Sequence, residues 1–444
     1  MSATIQKKAP GRAAAAGFFG GAIEFYDFFI YGTASAIAFN ALFFSELTPA
    51  IGTLVSFATL AVGYLIRPLG AVIFGHVGDR FGRKKALMAT LYTMGGATIL
   101  IGFLPTTSAI GDWAAVLLVA LRVVQGLGLG GEMGNAATLA MESSPAHRRG
   151  FFSSFSYAGG FAGMVMATGV FTLVHSLPRE TFLNWGWRVP FLLSAVLVLV
   201  AYAVRRKIPE PDTTERVRNE GRADELPISQ LLRSHKKDVL LATLMATGPN
   251  TVYYIVAVFS LSYATSEYGV SQTTMLMVVT ISSALLCASV PAWGGLSDRI
   301  GRRRLIIAGF LLEAALTFAF FVALPTADPI LILTGMVFVL VFGHGIVTGT
   351  SGAFFPELFP AEVRASAVSL GQQLGGALSG LGPLVAASIT VAFPGHTMLV
   401  GIYGGGLCLL GAIAGYLAVA RWGNQTLEAS NAESVRDASA VAAR

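Results

Sequence analysis

Charged residues are scarce in this chain, and cysteine is nearly absent. Asp, Glu, Lys and Arg make up only 12% of the 444 residues, whereas hydrophobic residues make up 54%. An ordinary soluble domain carries about 25% charged residues, so this composition excludes that class and indicates a membrane protein. The two cysteines, Cys287 and Cys408, have no ligand-like spacing and exclude a disulfide framework.

Sequence patterns for catalysis and for nucleotide binding are also missing. The chain contains no G-x-x-x-x-G-K-[ST] phosphate loop, no zinc-ligand spacing and no catalytic triad signature. We therefore expect a protein that is not an enzyme, holds no metal or other cofactor, and is not driven directly by ATP.

Long apolar runs fill most of the chain instead. Each is about 20 residues, the length at which a helix crosses a bilayer. The runs cover residues 17–44, 53–74, 86–104, 113–140, 150–174, 189–204, 238–264, 273–296, 305–324, 330–355, 365–393 and 398–422. A single large buried core would not need twelve such runs separated by short polar turns. We predict an all-α membrane protein with twelve transmembrane helices in two pseudo-symmetric six-helix bundles.

Polar stretches give the predicted domain boundaries. The longest contains Pro209, Pro211 and Pro227 among mixed charges, which is typical of a solvated linker. The first apolar run is too long for a cleaved signal peptide and lacks a cleavage site, so we expect a retained helix. The prediction is a leader at 1–16, a first bundle at 17–204, a linker at 205–237, a second bundle at 238–424 and a tail at 425–444.

Positive charge is concentrated on one side of the predicted bundle. All 30 Lys and Arg residues lie in the leader, the linker, the tail or the loops of that side, except Arg67, Arg122, Arg179 and Arg188. By the positive-inside rule, both termini and the linker are cytoplasmic. The basic composition thus reflects topology in a lipid bilayer, and we expect no nucleic-acid partner.

Two stretches of the first half recur in the second. Residues 75–87 read GHVGDRFGRKKAL, and 219 positions later residues 294–306 read GGLSDRIGRRRLI. ESSPAHRRGFFSS from Glu142 recurs in outline as ELFPAEVRASAVS from Glu357. Two markers at nearly one spacing indicate a duplicated six-helix unit. Repeated membrane halves are typical of alternating-access transporters, which hold their substrate between the halves.

These motifs, together with LRVVQGLGLGGE, resemble the signature motifs of the major facilitator superfamily. Within it, IEFYDFFIYGTA, IRPLGAVIFGHVGDR, WGWRVPFLLS and PELFPAEVR resemble the metabolite:proton symporter family, whose members include shikimate, α-ketoglutarate, citrate and proline/betaine transporters. The resemblance is nearest to the shikimate type. It implies a monomeric proton-coupled symporter of the bacterial inner membrane that imports a small polar metabolite, in particular an organic acid.

Three alternatives to an organic acid symporter stay open. A proline/betaine symporter would carry a zwitterion, and a drug:proton antiporter would export lipophilic cations. A membrane receptor would bind a metabolite without moving it.

The resemblance further assigns the repeated basic motif to a gate that closes the cytoplasmic side. A basic loop needed only for topology gains nothing from an aspartate, whereas an aspartate at a helix end can pair with cations or with a helix terminus. The predicted gate residues are Gly75, Asp79, Arg80, Gly82, Arg83, Asp298, Arg299, Gly301 and Arg302.

Two carboxylates in the first helix are candidates for proton coupling. Glu24 and Asp27 lie three residues apart and therefore on one helix face. Each ionised carboxylate at mid-membrane costs roughly 2.5 to 3.5 kcal/mol on insertion scales, so charge there requires a function or a partner. We predict that Asp27, with Glu24, carries the proton; the alternative is a structural ion pair with Arg67 or Arg122.

Arg122 is the main candidate for substrate binding, because a guanidinium stays charged when buried and binds a carboxylate through two parallel hydrogen bonds. Arg67, which precedes Pro68, is a second candidate, or it caps a broken helix. Buried packing is the alternative role for the polar residues of the second half. His344 we interpret as structural, and Glu313 has no obvious partner in the sequence. Further predicted substrate residues are Tyr26, Tyr31, Gln125, Glu132, Asn135, Asn250, Tyr253, Tyr254, Gln372 and Gln373.

Overall fold

The computed structural model describes residues 10–81, 83–130, 140–141, 144–206, 236–359 and 364–422, and these residues contain no β-strand. Short helical segments at 39–43, 107–110 and 179–186 connect longer helices. The long helices are α1 (Pro10–Ile37), α2 (Pro49–Leu65, then Arg67–Phe81), α3 (Arg83–Phe103), α4 (Trp113–Gly130), α5 (Arg149–His175), α6 (Arg188–Arg206), α7 (Lys236–Tyr254, Ile255–Phe259 and Ser260–Tyr268), α8 (Gln272–Ile300), α9 (Arg302–Ala323), α10 (Pro329–Val337, Phe338–His344 and Gly345–Glu357), α11 (Arg364–Ser379, then Gly382–Ala392) and α12 (Met398–Trp422).

These twelve helices match the twelve predicted spans. Within the described residues, nine helices are individually long and apolar enough to cross a membrane, and α6 becomes a tenth when joined to the bent segment before it. Of the other two, α1 carries Glu24 and Asp27, and only Met88–Phe103 of α3 is apolar. Their 28 and 21 residues still exceed the roughly 20 needed to cross the hydrocarbon core.

Proline and π-helical turns interrupt four of the helices. Pro68 has no N–H and its ring would clash with the carbonyl of residue 64, so α2 breaks at Ile66. A second break, in α11, comes just before Pro383. α7 and α10 continue through the π-helical segments Ile255–Phe259 and Phe338–His344. Such segments often occur at functional sites.

The first half (α1–α6) and the second half (α7–α12) contact each other at both ends of the bundle. At the end where α5 begins and α8 ends, called the basic end below, Asp298 accepts hydrogen bonds from the main-chain N–H groups of Gly150 and Phe151 at 2.9 and 3.0 Å. At the opposite end, Gln272 of α8 donates to the Ile37 carbonyl at 3.3 Å and bonds His175 Nε2 at 2.5 Å. Described residues of the two halves therefore contact each other at both ends of the bundle.

Backbone contact between glycines contributes to closure at the basic end. A Cβ atom added to Gly150 of α5 would collide with the Gly294 carbonyl of α8, and one added to Gly294 would collide with the Gly150 carbonyl. Only glycine at these two positions lets the two helices approach this closely.

Candidate functional site

Arg122 on α4 is fully buried between aromatic rings of α1. Its Cζ lies 4.6 Å from the ring centre of Phe28 and 4.1 Å from that of Tyr31, so both rings stabilise the cation. Nη1 donates to Gln125 Oε1 at 2.5 Å, whereas Nε and Nη2 make no hydrogen bond within the described residues. Nε–H and Nη2–H lie on one edge of the guanidinium, and such an edge matches the two oxygens of a carboxylate.

Gly63 on α2 gives Arg122 the space that it occupies. A Cβ atom at this position would overlap Nε, Cζ and Cδ of the arginine. Because the guanidinium cannot share that volume, any residue larger than glycine at 63 would displace it.

Gln125 holds Arg122 in place without giving it a counter-charge. Its Nε2 donates to Thr98 Oγ1 at 2.8 Å and to the main-chain carbonyl of Asp27 at 3.2 Å. The same amide therefore fixes the guanidinium and joins it to α1 and α3. Its role in the structure is to position the arginine.

Asp27 is buried, and its side chain faces Thr98 and Ser194 within the first half. Neither of its carboxylate oxygens makes a hydrogen bond to another described residue, and it forms no ion pair with Arg67 or Arg122. For Asp27, the structure therefore does not contain the fixed ion pair that the sequence raised as the alternative. Glu24, one turn earlier, is half-buried and takes part in an interaction of its own.

Arg67 and Tyr64 connect this cluster to the second half. Arg67 begins the second segment of α2; its Cζ lies 5.9 Å from the Tyr64 ring centre and its Nη1 lies beside Gly376 of α11. The Tyr64 ring packs against Phe28 at 4.3 Å and against Tyr254 of α7 at 5.1 Å. Arg67 is also an electrostatic neighbour of Arg122, so two cations approach one point of the interface between the halves.

Three of the predicted tyrosines, Tyr26, Tyr31 and Tyr253, differ in their contacts with this cluster. Tyr26 donates its hydroxyl to the Pro190 carbonyl at 2.8 Å, inside the first half. Tyr31 donates its hydroxyl to Thr59 Oγ1 at 2.7 Å, so it contacts Arg122 through its ring and not through its hydroxyl. Tyr253 lies across the interface with its ring 5.6 Å from that of Phe29.

The remaining predicted residues of the second half lie around the same interface. Gln372 of α11 donates to the Tyr157 hydroxyl of α5 at 2.8 Å and so joins the two halves. Gln373 is buried, and Asn250 on α7 is half-buried. Glu132 and Asn135 lie outside the described residues, so their assignment stays a prediction.

The second copy of the gate motif forms a network at the basic end. Arg302 bonds Asp298 Oδ1 and Glu357 Oε2, both at 2.8 Å, while Asp298 holds the start of α5. Gly301 has φ +95°, a conformation that favours glycine, and makes the one-residue turn between α8 and α9. Arg299 is exposed. The first copy of the motif lies largely outside what the structure describes. This applies to Gly82 and to the surroundings of Gly75, Asp79, Arg80 and Arg83, so their assignment to a gate stays a prediction.

Several residues of this region were not found from the sequence. Phe28 is one of them; it lies three residues before the predicted Tyr31 in α1, a spacing that places both on one face and could have indicated a ring pair. Gly63 and Tyr64 carried no distinguishing signal. Glu313 and His344 form a buried pair with Nδ1 and Oε1 3.0 Å apart; two lone polar residues in neighbouring apolar runs could have suggested it.

Comparisons with known proteins agree with this architecture. The family model described as Major Facilitator Superfamily matches residues 17–383 and 249–436. The chain is 38% identical to a shikimate transporter of Escherichia coli over 93% of this chain and 95% of that protein. It is 32% identical to a proline/betaine transporter of Salmonella typhimurium, over 85% of this chain and 77% of that protein. Among solved structures, the xylose transporter XylE from E. coli, in a partially occluded inward open conformation, has a TM-score of 0.69 at 19% identity and covers 91% of this chain and 98% of that one.

Proposed function

Because the chain belongs to the Major Facilitator Superfamily of membrane transporters, we propose that it imports a small organic acid together with protons by alternating access. The membership confirms the family and the fold predicted from the sequence. The protein is a multi-pass membrane transporter and not an enzyme. The substrate, the proton coupling and the orientation are the proposed part.

The free donors of Arg122 are the observation that carries the proposal. A buried cation without a counter-ion is costly, and within the described residues Arg122 has aromatic rings and one amide but no carboxylate partner. An anionic substrate that accepts from Nε–H and Nη2–H would satisfy both donors and supply the missing charge. Arg67, with its own unpaired Nε, adds attraction for the same anion.

Asp27 is proposed to carry a proton because its carboxylate accepts no hydrogen bond and pairs with no cation within the described residues. In a dry site such a group is more stable neutral than ionised. Binding of a proton at Asp27 and of a carboxylate at Arg122 would together neutralise these two buried side chains. The halves could then close and reopen toward the other side.

The relatives support an organic acid as the substrate class. The shikimate transporter is similar over nearly the whole chain, and shikimate is a carboxylate that an arginine edge would bind. We further propose a monomer in a bacterial inner membrane, with both termini cytoplasmic, driven by the proton gradient without a bound cofactor. A zwitterion symporter is the second candidate, favoured by the similarity to proline/betaine transporters and by the aromatic rings around the site.

Uptake into proteoliposomes tests the proposal. Purified protein would be given labelled shikimate, α-ketoglutarate, citrate, proline or betaine under an imposed inward proton gradient. We expect concentration of an organic acid, abolished by a protonophore. Concentration of proline or betaine alone would favour the zwitterion symporter, and binding without concentration would favour a receptor.

The variant Arg122→Lys tests the site within that assay. Lysine keeps the charge but loses the two-donor edge, and charge-assisted hydrogen bonds contribute about 1.5 to 3 kcal/mol each, so we expect the apparent affinity to fall by about 100-fold. The matched control is Arg188→Lys, at a cation that stacks on Trp187 and donates to the Leu104 carbonyl at the opposite end. Equal uptake by the two variants would contradict the assignment of Arg122.

A further inference from the structure

The second half contains a buried acid–base pair that the proposed cycle does not use. Glu313 of α9 and His344 of α10 are 0% and 2% exposed, and their Oε1 and Nδ1 atoms lie 3.0 Å apart. The other carboxylate oxygen, Oε2, makes no hydrogen bond within the described residues. Gly343 allows the close approach, because a Cβ there would press on the Glu313 backbone.

The surroundings of the pair contain no further cation among the described residues. Cys408 of α12 lies beside Glu313, and the Tyr253 ring of α7 stacks on the His344 ring at 5.2 Å. Tyr254 of α7 and Cys287 of α8 are titratable groups near Tyr253. The charge of the pair therefore depends on its own protons.

Two rings that meet at the interface cover His344. Phe161 of α5 stands edge-on to it at 5.5 Å and also contacts Tyr253 at 5.2 Å, while Tyr253 contacts Phe29 of α1. Phe161 and Phe29 belong to the first half, whereas Tyr253 and His344 belong to the second. Separation of the halves would therefore move Phe161 away from the imidazole.

We propose that Glu313 and His344 form a second proton-binding site, loaded when the halves open and sealed by Phe161 when they close. With one proton, shared as Glu⁻ and HisH⁺ or as neutral acid and imidazole, the pair is neutral. Loss of that proton to water leaves Glu⁻ beside neutral His, a net negative charge that is costly in a dry interior. Closure thus requires the proton, and opening permits its release. This site deepens the proposed function and rests on it.

The number of protons carried with each substrate molecule gives the test. A carboxylate anion that enters with one proton moves no net charge, whereas one that enters with two protons moves one positive charge. We expect labelled shikimate to drive an inward positive current in wild-type proteoliposomes. Glu313→Gln keeps the pair neutral permanently, so uptake under a pH gradient should continue while the current falls to background. The matched control is Ser351→Ala, at a buried residue of α10 whose hydroxyl donates to the Val347 carbonyl of its own helix.

Equal currents in wild type and Glu313→Gln, or no current in wild type despite uptake, would overturn the second site. Loss of uptake as well as current in Glu313→Gln would assign the pair a structural role, and so would also overturn the second site. If Glu313→Gln does not fold, Glu313→Met, which is apolar and of similar volume, takes its place in every measurement.

A substrate-free measurement separates this inference from the proposed function. If wild type takes up no organic acid, the proposed function fails, and the protons bound by purified protein on acidification then decide the fate of the pair. One proton fewer per molecule in Glu313→Gln than in Ser351→Ala would support the site. The same number in both would overturn it.

Discussion

The third and fourth helices of the two halves share their contacts but not their chemistry. At the offset of the repeated motif, Thr98 corresponds to Thr317, and each bonds the carbonyl four residues earlier, that of Met94 at 2.9 Å and that of Glu313 at 2.7 Å. Gln125 corresponds to His344, and each bonds its neighbouring helix, through Thr98 in one half and Glu313 in the other. Duplication thus kept the scaffold and placed different groups on it.

The charges of the first half are not repeated in the second. At the same offset, Arg122 corresponds to Val341 and Asp27 to Ala246. Gly63, which makes room for the arginine, corresponds to Ser282. One half therefore carries an unpaired cation and an unpaired acid, and the other carries a matched acid and base. The comparison suggests that anion binding is a property of the first half.

Replacing Gly63 by serine, the residue at the corresponding position of the second half, should produce the largest effect. Gly63→Ser puts a side chain where the Arg122 guanidinium lies, so we expect the apparent affinity for the transported acid to fall by at least about 100-fold, the scale of two lost charge-assisted hydrogen bonds. Initial uptake rates measured against substrate concentration give this value. Gly96→Ser is the control, because a Cβ there meets no atom within 4 Å. Wild-type affinity in Gly63→Ser would contradict the inference that anion binding is a property of the first half.

The gate motif, which both halves carry, should give an intermediate effect. Asp298→Asn removes the charge that holds Gly150 and Phe151 and pairs with Arg302. A loss of about 1.4 kcal/mol is tenfold in an equilibrium, so opening at the basic end should increase by about that factor. The native thiol of Cys287, which donates to the Ala158 carbonyl across the halves, reports opening through its alkylation rate.

Asp328→Asn is the matched control for this measurement. Asp328 accepts from the N–H of Ile330 at the start of its own helix and bridges nothing across the halves. An alkylation rate for Asp298→Asn no faster than that of Asp328→Asn would show that the second copy of the motif does not hold the gate.

The two corresponding threonines should give the smallest effect and the sharpest contrast. Thr98→Val removes the acceptor for Gln125 and so loosens the amide that positions Arg122. One hydrogen bond contributes about 1 kcal/mol, so we expect about a fivefold loss of apparent affinity. Thr317→Val loses only a bond within its helix, and its affinity should match that of wild type. Equal losses in both variants would mean that the two halves contribute alike to binding.

The fold could be predicted because the length of an apolar run reflects the thickness of the bilayer. Helix ends were less accurate. The basic motif was taken for a loop, yet α8 continues to Ile300 and α9 begins at Arg302, since charged residues extend a helix readily beyond the lipid. Gly301 alone makes the turn between these two helices.

Arg122 stood out in the sequence because a charge within an apolar run is rare. Gly63 and Phe28 did not, because glycine and phenylalanine are ordinary in membrane helices and their importance comes from what lies opposite. The pairing of Glu313 with His344 depends on how α9 and α10 align, which the composition of neither helix specifies. In the sequence, Glu313 had no obvious partner and His344 was interpreted as structural.

The glycine contact between α5 and α8 implies that closure at the basic end has a part that salt does not screen. Ions in solution screen attraction between charges, with a Debye length that falls from about 10 Å at 0.1 M to about 3 Å at 1 M, and they weaken partly buried pairs such as Asp298 and Arg302 less than exposed ones. They do not act on two backbones packed directly together at Gly150 and Gly294. High ionic strength should therefore loosen this end without unlocking it, whereas a single added methyl group at either glycine would wedge it apart.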